Sequence, residues 1–122
     1  MANTVVIADD SRFMRTFIKK ALEADDFTIV GEAENGEEAV ELYKKHTPDL
    51  TILDVTMEKK SGVEAAREIK GINKDAVIVM CSAMGQKPII EESIHIGVSN
   101  FIVKPFTPDK LLHMILETMA RG

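Results

Sequence analysis

The stretch Leu50-Thr51-Ile52-Leu53-Asp54 decides how this chain is read. A run of buried-strand type ends abruptly in a carboxylate, which standing alone is an ordinary strand-end cap. The same ending occurs at Val5-Val6-Ile7-Ala8-Asp9-Asp10, and Phe101-Ile102-Val103-Lys104 ends a later apolar run in a base. Three apolar strands ending in an acid, an acid pair and a base can build one site.

Size and composition frame that reading. The chain has 122 residues, 45% of them hydrophobic, and carries a net charge of −5. That length suits one domain over residues 1–122 with a core of its own. No apolar run approaches the ~18 residues of a membrane span, and Met1-Ala2-Asn3-Thr4 lacks the basic-then-apolar layout of a signal peptide. The single Cys81 cannot form an internal disulfide, so a buried free thiol and a cytoplasmic location are expected. The acidic balance, with no Lys/Arg-rich block, argues against nucleic-acid binding.

Outward from Asp54 the pattern alternates. Strand-like runs fall at 4–9, 27–33, 49–54, 76–81 and 99–103, with helical spacing between them. Phe13, Met14, Phe17, Ile18, Ala21 and Leu22 form one apolar face; Ala39, Val40 and Tyr43 form a second; Val63, Ala66 and Ile69 form a third. Leu111, Leu112, Ile115, Leu116 and Met119 close the chain. Asn35 with Glu38 and Ser61 with Glu64 have capping-box spacing, and Thr107-Pro108 supplies a cap followed by proline at the first helical position. Five strand–helix units with short connections predict a single α/β domain, a doubly wound parallel sheet with helices on both faces. Ligands of such sheets bind at the carboxyl ends of the strands, where Asp9, Asp10, Asp54, Ser82 and Lys104 all fall.

Asp9, Asp10 and Asp54 on neighbouring strands would repel one another by roughly 3 kcal/mol per pair at ~5 Å and an effective dielectric near 20. A positive partner must sit there. An all-oxygen set suits Mg²⁺ rather than a soft metal, and His46, His95 and His113 lie on predicted helices without ligand spacing. Lys104 either completes a structural ion pair or grips an anion; Ser82 adds a hydroxyl. Carboxylates, metal, hydroxyl and ammonium together describe a site where an Asp attacks phosphorus.

Asp9-Asp10, the strand-end Asp54, Ser82-Ala83 and Lys104-Pro105-Phe106 resemble the receiver domain of two-component response regulators across essentially the whole chain. The segments Asp10-Ser11-Arg12-Phe13-Met14-Arg15, Cys81-Ser82-Ala83-Met84-Gly85-Gln86 and Phe106-Thr107 are most similar to chemotaxis members of the CheY type. The resemblance implies a flavodoxin-like (βα)5 fold with strand order 2-1-3-4-5. It also implies that Asp54 accepts a phosphoryl group from a sensor histidine kinase, in chemotaxis a CheA-like one. Mg²⁺ would be bound by Asp10, Asp54 and the backbone carbonyl of Thr56, with Asp9 acting largely through water. Lys104 and Ser82 would contact the phosphoryl oxygens, Phe101 would turn inward as Ser82 moves, and Lys104-Pro105 would be cis. Partners implied are the kinase, a flagellar motor switch protein and a phosphatase. The protein would be a monomeric switch that assists its own phosphorylation and dephosphorylation, not an enzyme with a separate substrate.

Several positions depart from that family. Met57 is followed by Glu58 where proline is common, leaving either a more mobile loop with unchanged chemistry or an altered metal affinity. Phe101 replaces a frequent tyrosine and has no hydroxyl to anchor either rotamer. Thr56 and Met84 occupy places that tune self-dephosphorylation, and neither carries a carboxylate or amide to position water.

The fourth helix is unusually apolar. Ile90, Ile94 and Gly97 form one stripe and Ile89 and Ile96 another, so the helix is either buried over a wide face or docks a partner, with Ile89, Ile90, Ile94 and Phe101 as the contact surface. Arg12, Phe13, Met14 and Arg15 open the first helix beside the acid pair, as kinase contacts or, for Phe13 and Met14, as core.

Other functions weigh less. A phosphorelay intermediate would use the same site to pass phosphate to a histidine phosphotransfer domain. Aspartate-nucleophile phosphatases need a second carboxylate two residues after the nucleophile, where this chain has Thr56. A flavin protein of this sheet order wants a Ser/Thr/Gly-rich phosphate loop where Asp9-Asp10-Ser11-Arg12 stands. A degenerate receiver would lack part of the acid, hydroxyl and lysine set.

Overall fold

The computed structural model describes residues 3–83 and 87–121. Five strands and five helices alternate: β1 (Asn3–Ala8), α1 (Arg12–Glu23), β2 (Phe27–Ala33), α2 (Gly36–His46), β3 (Leu50–Asp54), α3 (Gly62–Ile72), β4 (Ile78–Ser82), α4 (Lys87–Ile96), β5 (Asn100–Val103) and α5 (Pro108–Arg121). All strand pairs are parallel, and the order is β2-β1-β3-β4-β5, as the resemblance implied. Neighbours β1 and β3 are wound in opposite directions from the centre, which opens the crevice at their carboxyl ends.

Side-chain alternation along the strands divides the core in two. Ala8, Ala33, Leu53 and Met80 point to one face, where Val40 and Tyr43 of α2 and Val63, Ala66 and Ile69 of α3 cover them. Val5, Ile7, Leu50, Ile52, Val79, Cys81 and Ile102 point to the other, under Ile18 and Leu22 of α1 and Leu111 and Ile115 of α5. β3 is buried along its whole length because it has strands on both sides and helices on both faces. Cys81 is a buried free thiol, as expected. No helix among the described residues is long and apolar enough to cross a membrane.

The helix starts follow the expected chemistry with one shift. Ser61 and Glu64 make the full reciprocal box, and Thr107 Oγ1 accepts from Lys110 N at 3.1 Å. Asn35 accepts from Glu38 N at 2.9 Å, but Glu38 reaches back to the Glu34 N–H, one residue earlier than the box requires. Asn35 is fully extended (φ −151°, ψ 172°), and that chain direction presents the preceding peptide to Glu38.

The first helix corrects the sequence reading. Phe13, placed on the apolar face, is 76% exposed, whereas Arg15 is 7% exposed. At 100° per residue the buried arc of α1 centres on Ile18; Arg15 lies about 60° from it and Phe13 about 140° away. Phe13 therefore points away from the sheet although it stands only two residues before Arg15.

Two glycines seal the connections around β3. A Cβ on Gly62 would collide with the Asp54 carbonyl oxygen, and one on Gly36 with the carbonyl of Lys60. Gly62 N donates to Val55 O at 2.9 Å and Gly36 N to Lys60 O at 3.0 Å, so α3 begins directly against the end of β3. Between them Lys59 takes a left-handed φ of 64°, and Lys60 N closes on Glu58 O at 2.6 Å. Exposed Glu58 thus sits in a tight turn formed without proline. Gly62→Ala is expected to cost about 3 kcal/mol in urea unfolding, against about 1 kcal/mol for Ser61→Ala one residue earlier. Equal losses would refute the close packing of α3 on Asp54.

Candidate functional site

Register brings the strand-end residues into rows. Ala8 pairs with Leu53, so Asp9 and Asp54 leave the sheet side by side; Asp54 pairs with Cys81, and Ser82 with Val103. Val55 N donates to Cys81 O at 2.8 Å and Lys104 N to Ser82 O at 2.7 Å, carrying the ladder one step past the strands. Asp9, Asp10, Asp54, Ser82 and Lys104 therefore share one edge.

Asp9 is 1% exposed and Asp54 7%, while Asp10 is open to solvent. One carboxylate oxygen from each of the three lies within 4.8 Å of the others, and this is the cluster of potential metal ligands found among the described residues. Lys104 Nζ donates to Asp9 Oδ2 at 2.8 Å and to Asp54 Oδ1 at 3.3 Å. Asp9 Oδ1 accepts from Ser11 N at 2.8 Å. The acid pair immediately precedes α1, whose cap Ser11 accepts from Met14 N, so the positive end of the helix dipole also faces it.

One lysine does not balance three acids. Burial, and then the charge of Asp9, raise the Asp54 carboxyl from its ordinary 3.8 to about 6, against the opposing pull of Lys104. Burial alone would lower the Lys104 ammonium, but its hydrogen bond to Asp9 and the charge of Asp54 outweigh this and hold it above its usual range. Burial pushes the neighbouring Cys81 thiol up to about 12. The donor set is hard and entirely oxygen, with one exposed member through which water can reach a bound ion; it fits a small divalent cation.

The remaining predicted residues are placed as follows. Ser82 is buried at the end of β4, one row beyond Asp54. The Thr56 side chain is exposed two residues after Asp54, and Met84 lies outside the described residues. Phe101 is half-buried and packs with Ile89 and Ile96 against the core on the α3 side. Ile94 is 66% exposed and Ile90 half-buried, so of the two stripes on α4 the Ile89/Ile96 one covers the core. His46, His95 and His113 lie on helices, apart from the acids. The Lys104-Pro105 bond is cis. Arg15, read from the sequence as a kinase contact, is instead buried, and its guanidinium donates to the Asp9 carbonyl; its i, i+3, i+7 spacing with Ile18 and Leu22 marked the stripe it occupies.

Known proteins resemble this chain in sequence and fold. The sequence profile of the response regulator receiver domain matches residues 5–116. The chain is 48% identical to the chemotaxis protein CheY of Bacillus subtilis, over 98% of this chain and 99% of that protein. It is 42% identical to the CheY of Thermotoga maritima, over 94% and 96%. Among solved structures it is similar to a CheX–CheY–BeF3–Mg²⁺ complex from Borrelia burgdorferi, with a TM-score of 0.91 and 33% identity over 94% of this chain and 87% of that one. The sheet order, the clustered acids bridged by Lys104 and the match of nearly the entire chain lead to one assignment: this chain belongs to the response regulator receiver domain family, with CheY-like relatives.

Proposed function

We propose that the protein is a cytoplasmic phosphorylation switch in chemotaxis, with Asp54 as phosphoacceptor for a CheA-like sensor histidine kinase and a flagellar motor switch protein as its target. The observation that carries the reading is the contact of Lys104 with both Asp9 and Asp54, which sets a cation where the oxygens of a phosphoryl group on Asp54 would lie.

In the transfer, an Asp54 carboxylate oxygen forms a bond to phosphorus as the bond from phosphorus to the kinase's histidine nitrogen breaks. The imidazole leaves with the electron pair. Asp54 must be ionised to attack, and its raised pKa makes it the more basic nucleophile once it is. Mg²⁺, held by Asp10, Asp54 and the Thr56 carbonyl with Asp9 acting through water, would supply the positive charge that screens the acids and the phosphoryl oxygens. The relative solved with BeF3 and Mg²⁺ supports that choice of ion. Lys104 would exchange its weaker contact with Asp54 for a phosphoryl oxygen, and Ser82 would donate to another. Phe101, packed like Ile89 against the core on the α3 side, would pass that movement to α4, where exposed Ile94 belongs to the docking face for the motor protein or a phosphatase.

Incubation with acetyl phosphate and Mg²⁺ is expected to add one phosphoryl mass to the wild type and none to Asp54→Asn; addition that survives the substitution refutes the assignment. Thr56→Asn combined with Met84→Glu is expected to shorten the phosphate lifetime by about a hundredfold, the low end for a positioned general base; an unchanged lifetime removes the role given to these positions.

The raised Asp54 pKa also has a sign for stability. Its ionisation costs more in the folded than in the unfolded chain, so its contribution is fully present below about pH 4 and lost as pH rises through about 6. Metal-free Asp54→Asn is therefore expected to exceed the wild type in urea stability at pH 8 by on the order of 2 kcal/mol, converging near pH 4. A difference that does not change with pH would contradict the burial of this charge.

A further inference from the structure

Arg15 lies in the sheet-facing arc of α1 at 7% exposure. Its Nη1 donates to the Asp9 carbonyl at 2.6 Å, its Nε to Glu32 Oε1 at 3.2 Å, and its Nη2 stands 3.8 Å from Glu34 Oε1. An Arg–Glu pair between α1 and the end of β2 could form at the surface without desolvating a guanidinium. Burial here has a different product, the grip on the Asp9 carbonyl. The other polar atoms of Asp9 are already committed: its N–H to Ala33 O at 3.0 Å, Oδ1 to Ser11 N and Oδ2 to Lys104. With the carbonyl also bound, the peptide joining Asp9 to Asp10 has a single direction. Asp10 is exposed, and where its carboxylate points follows from that peptide.

We propose that Arg15 is a positioning residue for the divalent-metal site, fixing from α1 and β2 the turn that presents Asp9 and Asp10 to the ion. The inference rests on the metal reading above and adds a residue that touches neither metal nor phosphate. Mg²⁺ demands near-ideal octahedral geometry, so a turn free to rotate would lose affinity.

Electrostatics gives this role a distinctive sign. Arg15 is a cation near a cation site, and deleting its charge alone should tighten Mg²⁺ binding. A purely structural anchor would lower thermal stability and leave the affinity of the folded protein unchanged. Positioning alone predicts weaker binding in a folded variant.

The test is calorimetric titration of MgCl2 into the wild type, Arg15→Met and Arg15→Lys at fixed ionic strength, with circular dichroism to verify folding. Arg15→Met is expected to bind Mg²⁺ about tenfold more weakly, the scale of lost outer-shell partners. Arg15→Lys, whose ammonium still reaches the Asp9 carbonyl, is expected to recover to within about threefold of wild type. Affinity in folded Arg15→Met equal to or tighter than wild type overturns the proposal. Should that variant not fold, Arg15→Gln, too short to span Asp9 and Glu32, takes its place: about threefold weaker binding supports the role, and equal or tighter binding overturns it. A wild type that binds no Mg²⁺ sinks the metal reading and this inference with it; a wild type that binds beside an unaffected variant sinks the role of Arg15 alone.

Discussion

Lys104 reaches from the end of β5, an edge strand, across β4 to the acids on β1 and β3 at the middle of the sheet. Without a cation at that point the carboxylates of Asp9 and Asp54, both withdrawn from water, would face each other uncompensated. The neighbouring arrangement serves this contact. The backbone bond from Lys104 to Ser82 holds the lysine against β4, the α1 terminus and the Ser11 N–H take up part of the Asp9 charge, and Gly62 lets α3 close over the Asp54 carbonyl. The balance is still incomplete: burial first, and then the charge of Asp9, raises the Asp54 carboxyl despite Lys104. A divalent ion and a phosphoryl group on Asp54 are the species proposed above to complete it.

That incompleteness separates a switch from a rigid ion pair. A fully neutralised buried cluster would be stable in one arrangement and indifferent to ligands. Here the weaker Lys104 contact, 3.3 Å to Asp54, is the one at the proposed reacting residue, while the shorter 2.8 Å contact holds the lysine to Asp9. The lysine can change one partner and keep the other.

Much of this was legible before any coordinates. The alternation of apolar runs and helical spacing located the five strands to within two residues and a helix after each, because period-2 and period-3.6 patterns record burial directly. Strand-end acids and Lys104 were legible for the same reason: a charge ending an apolar run has few places to go in a doubly wound sheet. Strand order was not, since the pattern of a βα unit does not say on which side its strand docks; it came from resemblance. The exchange of roles between Phe13 and Arg15 was hidden because residue type was weighed above helical phase, which sets Phe13 outside the buried arc and Arg15 within it. A guanidinium can enter that core when a carbonyl and two glutamates await it, and those partners are 17 residues or more along the chain or belong to the backbone. Close packing of Gly62 was equally silent, as a glycine that admits a neighbouring carbonyl looks in sequence like one that starts a turn.

Cys81 adjoins Asp54 across the β3–β4 ladder, yet it is buried and its thiol is held protonated well above neutrality. Thiolate is the species that alkylating agents and peroxides attack, so the chain's single cysteine is chemically silent in the folded state. For the experimenter, a cysteine introduced on exposed α4 can carry a fluorescent or spin label at one defined place, with the native thiol left intact in the core.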